Sequence, residues 1–254
     1  MSIENILLIL AAGTAAGFIN AMAGGGSLLT MPVLIFLGLP SATANGTNRI
    51  ALLVQNLIGI WNFRSKGFFD WKLGLLLSIP AVIGSLVGAS FAVSIPDGLF
   101  NKILAVVMIV IVIFVVWQPH KKMANTEKPA TTGRKIAASI VFFFVGLYGG
   151  FIQAGIGFLM IASMSFIFGM SLVRVNAFKL FVAGLYIFAS FFIFVIHGEV
   201  NWLLGFILAA GNGIGVWIGS HFAVSKGDKW IRIVLVIAVV LMAGKLFGVY
   251  GYLF

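Results

Sequence analysis

Long runs of apolar residues, separated by short polar stretches, dominate the chain. Ten such runs can be drawn, and most approach the roughly 20 helical residues that cross a bilayer core. The runs cover residues 5–23, 27–39, 44–63, 71–94, 99–117, 135–153, 157–170, 180–196, 202–224 and 231–250. Those at 27–39 and 157–170 are short for a full crossing, which predicts broken, tilted or re-entrant helices. The pattern therefore predicts an all-α polytopic membrane protein.

The second half of the chain repeats the first. Residues 67–97 align without a gap with residues 198–228, at a constant offset of 131, and 13 of the 31 positions are identical. Basic residues precede the first copy but follow the second, which is expected if the two copies insert in opposite directions. We therefore predict two inverted repeats of about five helical segments each. Their predicted bounds are 1–118 for the first repeat, 119–134 for a cytoplasmic linker and 135–254 for the second repeat.

Composition and charge agree with a membrane protein. The chain is 61% hydrophobic and 9% charged, whereas soluble domains carry about 25% charged residues. Its net charge of +10 does not indicate nucleic-acid binding, because 13 of the 16 basic residues fall in four loops, at 64–72, 119–135, 171–179 and 225–232. Basic residues collect on cytoplasmic loops. The chain is therefore expected in the cell membrane, the plasma or inner membrane, with both termini outside the cytoplasm.

Matching glycine-rich stretches interrupt the start of each half. The segment GFIN at 17–20 matches GFIQ at 150–153, and glycines follow in both. A helix break exposes N–H groups that suit an anion, and inverted-repeat transporters bind substrates where broken helices meet. Close helix packing is the alternative role for these glycines. The candidate residues are Asn20 and Gln153 with the glycines Gly24, Gly25, Gly26, Gly155 and Gly157.

Polar residues also begin the long run that follows each short run. Asn45 and Asn176 occupy equivalent positions, Asn48 is equivalent to Lys179, and Arg49 follows Asn48. A charge within a membrane segment is costly and usually faces the protein interior, so the two cations are candidates for holding an oxyanion. Snorkelling to the headgroups is the alternative for the cations, and N-capping is the alternative for the asparagines. Gln55, Asn56 and Tyr186 are interpreted as structural.

The motifs resemble those of a known family. The stretches GFINAMAGGGSLLTMPVL at 17–34 and PSATANGTNR at 40–49 resemble the sulfite exporter TauE/SafE family of membrane permeases, and 149–158 with 176–180 resemble its second half. The resemblance implies a multi-pass permease that in bacteria usually moves sulfur oxyanions or organosulfonates. It also implies a substrate role for Asn20, Asn45, Asn48, Arg49, Gln153, Asn176 and Lys179.

Together these observations predict export of a small anion, sulfite or a related compound, by alternating access between the repeats. The expected partners are this anion and the lipid bilayer, without nucleic acid, and a homo-oligomer stays open. No enzyme, cofactor or metal is expected, because the sequence lacks cysteine, an H-E-x-x-H pair, a Walker loop and a nucleophile elbow. The alternatives are a membrane-embedded enzyme or accessory subunit of a sulfur pathway, and an anion channel.

Overall fold

A computed structural model describes residues 2–22, 25–64, 70–117, 128–222 and 228–246. These residues form ten α-helices, and no strand occurs among them, which confirms the all-α prediction. The helices are α1 (Ile3–Met22), α2 (Ser27–Phe36), α3 (Ser41–Arg64), α4 (Trp71–Ser94), α5 (Asp97–Trp117), α6 (Thr132–Phe151), α7 (Ile156–Phe168), α8 (Leu172–Ile196), α9 (Trp202–Phe222) and α10 (Asp228–Leu246).

Five helices in this part of the chain, α1, α4, α6, α8 and α9, are long and apolar enough to cross a bilayer. Their outward faces carry large apolar side chains such as Ile79 and Phe144, each 61% exposed. Water would penalise so much apolar surface, so lipid is its natural surrounding. The helices α2 and α7 have 10 and 13 residues, or about 15 and 20 Å at 1.5 Å per residue. Neither spans a hydrocarbon core of about 30 Å by itself.

Helices α3 and α8 begin earlier than their apolar runs predict. Helix α3 begins at Ser41 rather than near residue 44, and α8 begins at Leu172 rather than near residue 180. The backbone N–H of Ser41 donates to Asp97 Oδ1 at 2.7 Å, which satisfies one of the free donors at the start of α3. Hydropathy misses such polar first turns because contacts with other segments stabilise them.

Glycines allow two pairs of helices to pack backbone against backbone. Helix α1 packs along α9, and α4 packs along α6. A Cβ on Gly17 would overlap the Asn212 carbonyl, and one on Gly88 would overlap the Leu147 carbonyl. Small residues at membrane helix interfaces permit this close approach. Packing is therefore one role of the glycines in this chain.

The most extensive helix pairings are the same in both halves. Exchanging α1–α5 with α6–α10 converts the α1–α9 pair into the α6–α4 pair, and the α3–α9 pair into α8–α4. At the centre, α3 packs on its own counterpart α8 in the antiparallel sense, because Gly46 lies at Phe194 while Asn56 lies near Gly184. This arrangement suits the predicted repeats. Their opposite insertion, and the bounds 1–118, 119–134 and 135–254, stay predictions.

Polar contacts between loops show which loops lie at the same end of the bundle. At the end that we call the outer end, after its predicted orientation, Thr47 Oγ1 accepts from Asn201 N at 2.9 Å and Thr43 donates to Glu199. At the opposite, inner end, Lys128 N donates to Phe168 O at 2.9 Å. The α2–α3, α4–α5 and α8–α9 loops thus share the outer end, and the α7–α8 turn lies at the inner end.

Candidate functional site

Two helical hairpins, α1–α2 and α6–α7, turn toward each other inside the bundle. Ser27, the first residue of α2, connects them. Its hydroxyl accepts from the Gly155 N–H at 3.3 Å and lies 3.5 Å from the Gln153 carbonyl, to which it donates. The N-termini of the two short helices α2 and α7 therefore meet. Helix N-termini carry partial positive charge and free N–H groups, and both features favour an anion.

The turn between α6 and α7 has a left-handed backbone. Gly155 has φ of 70°, and Gln153 has φ of 67° although it carries a side chain. Such a conformation costs a non-glycine residue energy and clusters at functional sites. Tyr148 supports the turn by donating from its hydroxyl to the Ala154 carbonyl.

The α1–α2 turn is described in part. Gly25 and Gly26 belong to it, and a Cβ on Gly26 would overlap the Ala16 carbonyl. Asn20 Oδ1 accepts from Gly26 N at 2.7 Å, which ties the end of α1 to the start of α2. Gly24 was also predicted for this break, and it lies outside the described residues.

A cavity of about 40 Å³ lies against the junction of the hairpins. It holds roughly three water-sized groups, so it suits a small solute. Its lining comes from α1, α2, α3, α7, α8 and the α6–α7 turn, near the middle of the long helices α3 and α8. The polar lining residues are Asn20, Ser27, Gln55, Asn56, Gln153, Lys179 and Tyr186.

Several polar groups in the cavity lack a protein partner. Gln153 Oε1 and the Tyr186 hydroxyl are buried without a hydrogen bond to any residue that the structure describes. Lys179 is half-buried, and the described residues provide no hydrogen bond or ion pair for its ammonium. The Asn20 amide, in contrast, has a partner within the protein, since its Nδ2 donates to Gln55 Oε1 at 2.8 Å. Buried polar groups normally have partners, so a bound solute or water is expected here.

The charge balance of the cavity favours an anion. Lys179 is the charged residue of the lining, and no Asp or Glu lines the cavity within the described ranges. Ammonium and hydroxyl groups are hydrogen-bond donors, and oxyanions accept several such bonds. No group of three or more His, Asp or Glu residues in the described part of the chain is placed to hold a metal ion.

Arg49 is fully buried and lies outside the cavity lining. Its Nη1 donates to Ser190 Oγ at 2.6 Å, and its Nη2 donates to the Gly150 and Gly149 carbonyls at 2.5 and 3.2 Å. The guanidinium also lies 4.5 Å from the ring centroid of Phe194. These carbonyls belong to the C-terminal end of α6, where free acceptors and negative dipole charge favour a cation. Arg49 therefore faces the protein interior and does not snorkel.

The predicted asparagines occupy three different environments. Asn45 Nδ2 donates to the Phe151 carbonyl at 2.7 Å, so Asn45 assists Arg49 at the end of α6 rather than capping α3. Asn48 is fully buried, and both polar atoms of its amide lack partners in the described structure. Asn176 is half-buried and does not line the cavity.

The structure thus brings together part of the predicted set. Asn20, Gln153, Gly157 and Lys179 line the cavity, whereas Asn45 and Arg49 do not. The sequence indicated a structural role for Gln55, Asn56 and Tyr186, but the structure places them in the lining. Helical spacing offered a signal, because Gln55 follows Asn48 by two turns on one face of α3, and Tyr186 follows Lys179 in the same way on α8.

Comparisons with known proteins agree over nearly the whole chain. A family model described as Sulfite exporter TauE/SafE matches residues 9–246. A probable membrane transporter protein of Haemophilus influenzae is 28% identical over 246 residues, covering 97% of this chain and 96% of that protein. The probable membrane transporter protein YfcA of Escherichia coli K12 is 28% identical over 234 residues, with coverage of 91% and 85%. The probable membrane transporter protein ORF9 of Sinorhizobium sp is 25% identical over 231 residues, with coverage of 91% and 88%.

Proposed function

The chain belongs to the sulfite exporter TauE/SafE family, and from this premise we propose that it exports a small sulfur oxyanion or organosulfonate, with sulfite as the first candidate. The family and its relatives make the protein a multi-pass membrane transporter. The identity of the anion, the direction of transport and the roles of single residues are the proposed part.

The observation that carries the proposal is the unpaired cation Lys179 in a small cavity. A buried or half-buried charge is costly unless a partner neutralises it. A sulfur oxyanion supplies that partner, because its oxygens accept from the ammonium and from the free Tyr186 hydroxyl. The volume of about 40 Å³ favours such a compact head group over a large organic solute.

The meeting hairpins support the same substrate class. The N-termini of α2 and α7 approach each other through Ser27 and Gly155 at one side of the cavity. In transporters with broken helices, the positive ends of half-helices bind the anionic group of the substrate. The cavity lies between elements of the two predicted repeats, so that movement of one repeat against the other would expose it to alternate sides.

The membrane potential would drive the export. All six acidic residues lie in loops or at the ends of apolar runs, so the membrane segments contain no carboxylate for a proton relay. With the cytoplasm negative, each elementary charge that leaves gains about 2.3 kcal/mol per 100 mV. We therefore propose a uniport of the anion.

Flux from proteoliposomes tests this function. Purified protein is reconstituted into vesicles loaded with sulfite, and valinomycin with a potassium gradient sets the membrane potential. Saturable efflux that rises with the potential is expected. Lys179→Gln should reduce it about tenfold or more, because a charge-assisted contact is lost. The control Lys245→Gln removes a cation that lies 4.3 Å from the Phe36 ring, away from the cavity lining, and should preserve the flux.

Three outcomes would count against the proposal. Equal efflux from the Lys179→Gln variant and the wild type would exclude Lys179 from the site. Efflux that needs a pH gradient at zero potential would exclude the uniport. Absence of sulfite efflux from a folded preparation would exclude sulfite, and thiosulfate and sulfonates would then be tested in the same vesicles.

A further inference from the structure

Along α3 and α8, the cavity lining follows the sequence repeat at all but one pair of positions. Helices α3 and α8 are equivalent at an offset of 131, and their cavity-lining residues come in equivalent pairs. Lys179 is the exception, because it lines the cavity whereas its equivalent Asn48 does not. Each of the two follows the first residue of its helix by seven positions. The equivalent pairs in the lining are Leu52 with Ala183, Gln55 with Tyr186, and Asn56 with Ile187.

Asn48 and Lys179 lie on opposite sides of the cavity. Asn48 lies between Gln55 and the outer end of α3, whereas Lys179 lies between Tyr186 and the inner end of α8. Lys179 is half-buried, whereas Asn48 is fully buried with both amide atoms unpaired in the described structure. The cavity therefore reaches Lys179 on the inner side and does not reach Asn48 on the outer side. Buried polar groups without partners are rare in native structures. A second conformation in which the Asn48 amide binds a partner would account for this one.

We infer that this structure is the state in which the site is reached from the inner side, and that Asn48 replaces Lys179 in the site when the opposite state forms. This inference rests on the proposed function. Because α3 and α8 are equivalent and antiparallel, exchanging the conformations of the two halves moves the opening to the other end of the bundle. Asn48 would then donate its amide N–H groups to the substrate.

The difference between the two residues suits export. A cation on the inner side binds an anion strongly and captures it at low concentration. A neutral amide on the outer side binds it more weakly and releases it sooner. The gradient and the potential still set the net direction, whereas Asn48 and Lys179 set the affinities at the two sides.

Single cysteines test the exposure of each residue, because the chain contains no cysteine of its own. Asn48→Cys and Lys179→Cys are treated with a membrane-impermeant thiol reagent in right-side-out and inside-out vesicles. Leu99→Cys, at a residue 52% exposed near the outer end, is the control for outer labelling. Sulfite is omitted because it reacts with thiol reagents, and methanesulfonate serves as the protecting anion.

We expect Lys179→Cys to react from the inner side only. Asn48→Cys should react from the outer side only, about tenfold or more slowly than Leu99→Cys, because its exposed state is the minor one. Methanesulfonate should slow the reaction of Asn48→Cys, which retains Lys179. Failure of Asn48→Cys to react from the outer side, or its reaction from the inner side, would overturn the inference. Correct labelling without sulfite flux would support the inference and reject only the assigned substrate.

A second variant separates a role in transport from a structural one. Asn48→Leu removes the unpaired amide and should raise the melting temperature, because the inner-side state no longer buries free polar atoms. The same change should lower the flux about tenfold or more, since the opposite state loses its donor. The control Thr30→Val also removes a buried polar group without a partner in the described structure, the Thr30 hydroxyl on α2. This variant should preserve the flux. Wild-type flux from Asn48→Leu would overturn the inference.

Discussion

Replacing Arg49 tests whether this residue holds the fold or the substrate. In Arg49→Met the side chain keeps an unbranched stem, shorter than that of arginine, but loses its charge and every hydrogen bond. The Gly149 and Gly150 carbonyls at the end of α6 then lose their donor, and Ser190 loses its partner at 2.6 Å. The stability of the α6–α7 turn should fall, and the cavity should lose its shape because Gln153 directly follows this end of α6.

The size of the effect follows from the bonds that are lost. A hydrogen bond to a charged group contributes about 1.5–3 kcal/mol, and Arg49 makes three of 3.2 Å or shorter. The desolvation of a buried guanidinium offsets part of this gain. We therefore expect Arg49→Met to lower the free energy of unfolding by about 3 kcal/mol. Arg49→Lys keeps the charge but not the planar fork of the guanidinium, so its free energy of unfolding should fall less than that of Arg49→Met.

Equilibrium unfolding in mixed micelles, followed by tryptophan fluorescence, measures these free energies. Lys245→Met is the matched control, because it also removes a cation near an aromatic ring, with Nζ 4.3 Å from the Phe36 centroid. A cation–π contact of this kind contributes about 0.5–1 kcal/mol, so Lys245→Met should lower the free energy of unfolding only slightly. Flux assays on the same preparations should show a strong loss for Arg49→Met and a partial recovery for Arg49→Lys.

One result would refute this reasoning. If Arg49→Met unfolds like the wild type and yet transports no anion, then the guanidinium does not stabilise the end of α6. The sequence-based prediction that Arg49 binds the substrate would then be favoured, with contact made in another conformation. Loss of stability without loss of flux would show that the turn tolerates the change and that Arg49 matters only for folding.

Two further predictions concern the backbone. Gly88→Val should lower the free energy of unfolding by about 3 kcal/mol, because its side chain would overlap the Leu147 carbonyl. Gly98→Val, where nothing lies within 4 Å, should stay within about 0.5 kcal/mol in the same micelle assay, and equal losses would contradict close packing at Gly88. Gln153→Gly relieves a left-handed backbone that costs about 1 kcal/mol, so its melting temperature should exceed that of Gln153→Ala, while both variants lose flux. Wild-type flux in either variant would exclude the Gln153 amide from the site.

Sequence patterns predicted the helices well where hydropathy alone decides their length. The run at 71–94 became α4 with the same bounds, and the run at 157–170 became α7, Ile156–Phe168. Every polar backbone group of a segment in lipid must be hydrogen-bonded within the protein. A long apolar run therefore forms a helix, which pairs these groups within the segment. The early start of α3 was missed because its first turn is polar and is stabilised by Asp97 of a distant segment. The early start of α8 was missed because Arg174, Asn176 and Lys179 interrupt the apolar pattern of its first two turns.

The sequence could also predict where the chain breaks but not how the breaks are joined. The matched glycine-rich stretches indicated two interruptions, and the structure places a break at each. The contact of Ser27 with Gly155, 128 residues apart, joins the two breaks. No local pattern predicts such a contact, because it depends on the way in which the two halves pack.

By itself the sequence determined the class of protein, the repeat and the positions of polar residues within apolar helices. These properties depend on composition and local order, which hydropathy and charge report directly. Only the tertiary structure decided what each polar residue does. Arg49 and Lys179 look alike in the sequence as single cations in apolar helices. The guanidinium of Arg49 donates to carbonyls of α6, 100 residues away in the chain, whereas Lys179 faces the cavity and has no partner among the described residues. That distinction depends on which groups surround a charge in space, and the packing of the helices alone determines this.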